Sequence, residues 1–131
     1  MDYTAQFFSA QVIAVDFDGV VCREAWPDIG APNMRIIRAL RERQKDGAKL
    51  ILWTCREDAP LAEAVGWCKA HGLRFDAVNA NLPERIAQYG GDSRKVSADL
   101  YLDDKALGVL NGVILFPDMD SATWVTAHGQ A

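Results

Sequence analysis

Val12-Ile13-Ala14-Val15, with Phe17 beyond, is an almost unbroken apolar run, the pattern of a parallel strand covered on both faces. Asp16 and Asp18 interrupt it and Gly19 follows, so the strand is expected to end in an acidic turn. Met34, Ile36, Ile37 and Leu40 then recur at helical spacing across residues 32–46, with Pro32 suited to the helix start and Gly47 to its end. Arg35, Arg38, Arg41, Arg43 and Lys45 fill the remaining positions and read as a solvated helix face rather than a phosphate-binding one. Residues 48–54 form a second strand and residues 55–58 a turn. Residues 60–71 form a second helix with Leu61, Ala64, Val65, Trp67 and Cys68 facing the core, closed at Gly72. Residues 75–79 are a third strand, 83–89 one or two helical turns, 98–102 a fourth strand and 113–116 a fifth, edge strand.

Ser121 is placed to cap a last helix through Ala127. Residues 1–10 make a lead-in whose Tyr3, Phe7 and Phe8 dock on the body, and residues 20–33, with Pro27, Gly30 and Pro32, a loop or small hairpin. Strands alternating with helices imply an α/β fold: a doubly wound, Rossmann-like three-layer sandwich with a mostly parallel sheet and right-handed crossovers.

Composition narrows the class. The chain has 131 residues, suited to one domain over residues 1–131, and is half hydrophobic with 24% charged residues, a globular profile. A net charge of -4 supplies no global basic field for nucleic acid or membrane. The beginning of the chain lacks the basic region of a signal peptide, and no apolar run reaches membrane-spanning length, so a cytoplasmic protein is expected. Cys22, Cys55 and Cys68 are an odd, scattered set, expected to be reduced thiols.

The candidate chemistry lies where the strands end. Asp-x-Asp-Gly alone also reads as an ordinary turn. Yet the first strand ends in Asp16 and Asp18, the second in Thr54 and the fourth in Asp103 and Asp104, with Lys95 just before the fourth. In a parallel sheet these carboxyl ends share one edge, where ligands bind in open α/β folds. Gly19 lets the backbone turn and admits a ligand closely. Four carboxylates there call for a hard cation with oxygen ligands, for which Mg²⁺ is the expected choice. Phosphoryl transfer needs a nucleophile, neutralised equatorial oxygens and a proton for the leaving oxygen; Asp16, Mg²⁺ with Lys95 and Thr54, and Asp18 match those needs in turn.

Asp16-Phe17-Asp18-Gly19-Val20-Val21, Thr54, Lys95 and Leu100-Tyr101-Leu102-Asp103-Asp104 resemble, in order, the four motifs of the haloacid dehalogenase-like superfamily of phosphohydrolases. The resemblance covers residues 12–104, and its first and fourth motifs are the specific ones. It implies a phosphatase in which Asp16 forms an aspartyl-phosphate. Asp18 would protonate the leaving group and then activate water, its backbone carbonyl facing the metal. Thr54 and Lys95 would hold phosphoryl oxygens, with Asp103 a direct Mg²⁺ ligand and Asp104 set behind the direct ligands or reaching the metal through water. Leu52-Trp53-Thr54-Cys55-Arg56-Glu57 and Val78-Asn79-Ala80-Asn81 resemble a group of small capless members, which places Cys55 and Arg56 at the substrate side.

Alternatives stand beside these roles. Lys95 has rivals in Arg94 and Lys105. Arg56 touches substrate or pairs with Glu57 or Asp58. Cys55 reads as a small packing residue, and Asn79 and Asn81 as turn formers. Neither gap between motifs has room for a cap, so the site is expected to be open. That leaves a phosphorylated small molecule or a nucleotide or polynucleotide end as substrate, and a second copy near Trp26 and Pro27 as a way to close the site. A receiver-like Mg²⁺- and phosphate-binding signalling domain is the non-enzymatic alternative.

Overall fold

A computed structural model describes residues 4–115. One compact unit spans Thr4–Asp104, and the described remainder from Lys105 onward belongs to a second. In the first unit the elements are α1 (Thr4–Ser9), β1 (Val12–Val15), α2 (Met34–Lys45), β2 (Lys49–Leu52), α3 (Asp58–Ala70), β3 (Ala77–Val78), α4 (Pro83–Tyr89) and β4 (Leu100–Leu102). The fold is α/β. Its central sheet is parallel throughout, in the order β3-β2-β1-β4, and helices flank it in a Rossmann-like three-layer sandwich.

The apolar run does what its pattern implies. All four residues of β1 are buried, and the alternation of a strand sends them to opposite layers. Ile13 and Val15 join Leu50, Leu52 and Phe17 in a core closed by Ile37 and Leu40 of α2 and Ala64 and Cys68 of α3. Val12 and Ala14 pack on the other face with Ile51, Leu82 and Val96. Asn33, rather than Pro32, caps α2, its Oδ1 accepting the Ile36 N–H at 3.5 Å.

Several expectations need correction. Arg43 is not on a solvated face: it is buried, and its Nη2 donates to the Ala10 carbonyl at 2.6 Å, tying α2 to the chain entering β1. The third strand shrinks to two residues because Asp76 meets β2 partly through its side chain, whose Oδ2 accepts the Leu50 N–H. The fourth strand starts at Leu100, since the Asp99 carboxylate is spent on the N–H groups of Gln11 and Val12. Phe7 packs on the core, whereas Phe8 is 58% exposed and does not dock. Cys22 and Cys68 are buried, and burial pushes the Cys68 thiol up to about 12; Cys55 is exposed rather than packed, and all three are free.

Residues 20–33 form a small hairpin-like excursion. Arg23 N–H donates to Ala31 O and Asn33 N–H to Val21 O, with Cys22 bridged to Pro32. In the second unit, β5 (Gly108–Leu110) and β6 (Val113–Leu115) pair antiparallel in a sheet of their own, so residues 113–115 are not an edge of the parallel sheet. Tyr3, Phe116 and the helix expected after Ser121 lie outside the described residues. No helix among the described residues is long and apolar enough to cross a membrane.

Candidate active site

Register levels the carboxyl ends of the strands. Val15 lies opposite Leu52 on one side and Leu102 on the other. Asp16 N–H donates to Leu102 O at 2.9 Å and Trp53 N–H to Val15 O at 2.8 Å, so the residues leaving β1, β2 and β4 emerge together. The chain builds β2 and β3 to one side of β1 and then crosses to place β4 on the other. That reversal opens a crevice beyond the strand ends. There Asp16, Asp103 and Asp104 each bring a carboxylate oxygen within 4.8 Å of the others. Asp76 and Asp99, toward the amino ends of their strands, are by contrast committed to backbone N–H groups.

Acidic neighbours and burial set the electrostatics around Asp16. The Asp16 carboxyl is pushed up to about 6, chiefly by burial, with Asp103, Asp104 and Asp18 adding repulsion. A hydrogen bond from its neighbour's N–H, Phe17 N to Asp16 Oδ1 at 2.8 Å, works the other way and is outweighed. The donor set is all carboxylate oxygen, which suits a hard divalent cation. Gly19 adopts φ +85°, and a Cβ there would collide with Asp104 Oδ2. Only glycine satisfies both the left-handed backbone and the approach of that carboxylate.

Asp18 stands apart from the three. Both its oxygens face Arg56, with Nε to Oδ2 and Nη2 to Oδ1 each at 2.8 Å, a two-pronged ion pair. The guanidinium lies between the rings of Phe17 and Trp26, 5.0 and 4.9 Å from their centroids, and Arg56 is 2% exposed. Its Nη2 also donates to Asp28 O at 3.0 Å. The Asp18 hydrogen bond pushes the Arg56 guanidinium further above its usual range. Arg56 therefore pairs with neither Glu57 nor Asp58. The signal for this lay in the sequence: Arg56 follows β2 much as Asp18 follows β1, and those strands are neighbours.

Thr54 lies half-buried beyond β2. Its Oγ1 accepts the Arg56 N–H at 3.1 Å, while its own N–H donates to Asn79 Oδ1 at 2.8 Å. Asn79, at φ +50°, thus ties the end of β3 to this turn. Lys95 is exposed and its ammonium sits 5.2 Å from the centre of the Tyr101 ring; among the described residues it makes no ion pair with the crevice carboxylates. Arg94 is exposed as well, and Lys105 lies in the second unit.

Asn81 does more than form a turn. It is buried, its amide donates to Asp92 Oδ1 at 2.8 Å and to Ser93 O at 3.2 Å, and its oxygen accepts the Ser97 N–H. It thereby fixes both flanks of Lys95. These hydrogen bonds hold Asp92 below the usual carboxylate range. A cavity of about 390 Å³ opens beside this anchor, lined by Asn81, Tyr89 and Asp92 among others. Asn81 and Asp92 are already bonded to each other there.

No family model and no curated protein matches this sequence. Among solved structures it is similar to the conserved protein coded by a locus from Bacteroides thetaiotaomicron. The two are 40% identical over 78% of this chain and 82% of that one, with a TM-score of 0.67.

Proposed function

We propose that this chain, which belongs to one family with that conserved Bacteroides thetaiotaomicron protein, is a Mg²⁺-dependent phosphatase of the haloacid dehalogenase-like type. Kinship supplies the shared fold; the activity is argued from the site. One observation carries the reading: Asp16, Asp103 and Asp104 converge from two adjacent parallel strands at the point where the sheet reverses its winding.

Asp16 is the nucleophile. It stands at the mouth of β1 with its Oδ1 oriented by the Phe17 N–H, and its attack on phosphorus forms an aspartyl-phosphate. Asp18 exchanges protons, first with the leaving oxygen and then with the attacking water. Thr54 and Lys95 bind phosphoryl oxygens, Lys95 from a position where its ammonium sits 5.2 Å from the centre of the Tyr101 ring. Asp16, Asp103, Asp104 and the Asp18 backbone carbonyl would hold Mg²⁺, which would supply positive charge against the phosphoryl oxygens. The crowding of acidic groups that raises the Asp16 carboxyl is relieved by a divalent cation, which supports this reading.

The substrate is a phosphomonoester, either a phosphorylated small molecule or a nucleotide or polynucleotide end, and the setting is the cytoplasm. Between Asp18 and Thr54 the described chain holds the excursion, α2 and β2, and between Thr54 and Lys95 it holds α3, β3 and α4. An open site follows, and a second copy over Trp26, which is 54% exposed, is a means of enclosing it. The test is a phosphate-release screen over nucleotides, sugar phosphates, phosphoamino acids and 5′- or 3′-phosphorylated oligonucleotides. Mg²⁺-dependent release from one class supports the proposal; no release from any class overturns it. Phosphorylation of Asp16 without turnover would favour the receiver-like reading.

A further inference from the structure

Asp18 is two residues from Asp16, yet its side chain is not one of the three that can share a cation. Arg56 is the visible cause. A carboxylate gripped through both oxygens by one planar guanidinium cannot rotate about its own axis, so the pair fixes its plane as well as its place. The guanidinium is itself held from several directions. Phe17 and Trp26 sandwich it, Asp28 O accepts from it, and Pro27 O and Pro60 O stand 3.5 Å from its Nη1. Its backbone N–H is bound by Thr54 Oγ1 and its carbonyl by the Asn79 amide. The residue thus joins the excursion, the first turn of α3 and the end of β2 to one carboxylate.

We infer that Arg56 is a positioning residue for the second half of the reaction. It holds the Asp18 carboxylate clear of the cation cluster and oriented toward the water that hydrolyses the aspartyl-phosphate. This rests on the phosphatase reading above. In that step the water oxygen bonds to phosphorus, the bond from phosphorus to the Asp16 oxygen breaks, and the water proton passes to Asp18. Inorganic phosphate leaves and Asp16 recovers its carboxylate. The pair holds Asp18 in one plane, so what Arg56 supplies is orientation. Lysine is no substitute, since an ammonium is a point charge without the two-pronged geometry.

The test compares wild type, Arg56→Lys, Arg56→Gln, Asp18→Asn and the double variant Asp18→Asn/Arg56→Lys by rapid quench, with Mg²⁺ and p-nitrophenyl phosphate. Nitrophenolate leaves without a proton, so aspartyl-phosphate formation should survive in each variant. Both Arg56 variants should release about one nitrophenolate per site in a burst and then turn over at least about tenfold more slowly than wild type, with phosphoenzyme accumulating. Asp18→Asn should do the same, and the double variant should be no slower than Asp18→Asn alone within about twofold, because the two act as one unit. Equal losses in burst and steady phases, absence of accumulated phosphoenzyme, or additive losses would overturn the inference. So would a failure of both Arg56 variants to fold by circular dichroism, which would make the residue a structural strut. An inactive but folded wild type would sink the phosphatase reading itself, a result distinct from all of these.

Discussion

The Asp16 carboxyl is the least comfortable group described. Raised from 3.8 to about 6 by burial and by three acidic neighbours, it keeps its proton in the native state to higher pH than in the unfolded chain. Its ionisation therefore destabilises the cation-free protein: the cost is absent below about pH 4, grows between pH 4 and 6, and is complete above that. Asp16→Asn should remove it, raising stability in EDTA at pH 7.5 by roughly 1 to 2 kcal/mol after allowance for solvent screening. Thermal melts should show the advantage fading by pH 4; an advantage independent of pH would refute the charge argument. Gly19→Ala presses the same crevice from the other side. It should destabilise by about 1 to 2 kcal/mol through the left-handed backbone. It should also raise the Mg²⁺ needed for half-maximal activity about tenfold or more, by displacing Asp104. A metal titration that matches wild type would show that Asp104 is not where the cation is held. Asp16, Asp18, Gly19, Asp103 and Asp104 were all legible in sequence, because carboxylates set into or just after apolar strands are anomalies. The split of three carboxylates from Asp18 was not, since it depends on where one arginine side chain turns.

The strands and helices do their part through where they stop. β1, β2 and β4 end level, which the apolar runs foretold, but the hydrogen bonds that set their starts come from Asp76 and Asp99, residues that read simply as polar. That is why strand boundaries slipped while the parallel sense of the first four strands held. Arg43 shows the same limit on a helix: periodicity assigned it to solvent, and a carbonyl at Ala10 drew it inward. The segment from Asp92 to Ser97 has no regular structure and depends on Asn81. Asn81→Ala leaves several of its partners unsatisfied and should cost about 1 to 3 kcal/mol. If Lys95 binds phosphate from that segment, the same substitution should raise KM several-fold while leaving the Mg²⁺ dependence unchanged. A KM equal to wild type in a folded variant would remove Lys95 from the site.

The molecule as a whole places an acidic crevice at the open end of a parallel sheet, and a bound cation should stabilise it. Mg²⁺ at ten times its dissociation constant should add about 1.4 kcal/mol, visible as a melting temperature that rises with Mg²⁺. Asp103→Asn should blunt that rise more than Asp104→Asn; the reverse order would exchange their roles. Alternation of strands and helices made the layered architecture readable from sequence. The antiparallel pairing of β5 with β6 was not, because residues 113–115 carry an ordinary strand pattern that names no partner. The central claim is that Asp16 is phosphorylated and released within each catalytic cycle. Mass spectrometry of acid-quenched protein, taken during steady turnover of p-nitrophenyl phosphate with Mg²⁺, addresses it directly. A phosphoryl adduct on Asp16 should be present while phosphate accumulates far beyond the enzyme concentration, and it should vanish when substrate is exhausted. Turnover that persists undiminished in Asp16→Asn, or an Asp16 adduct that never turns over, would contradict the account.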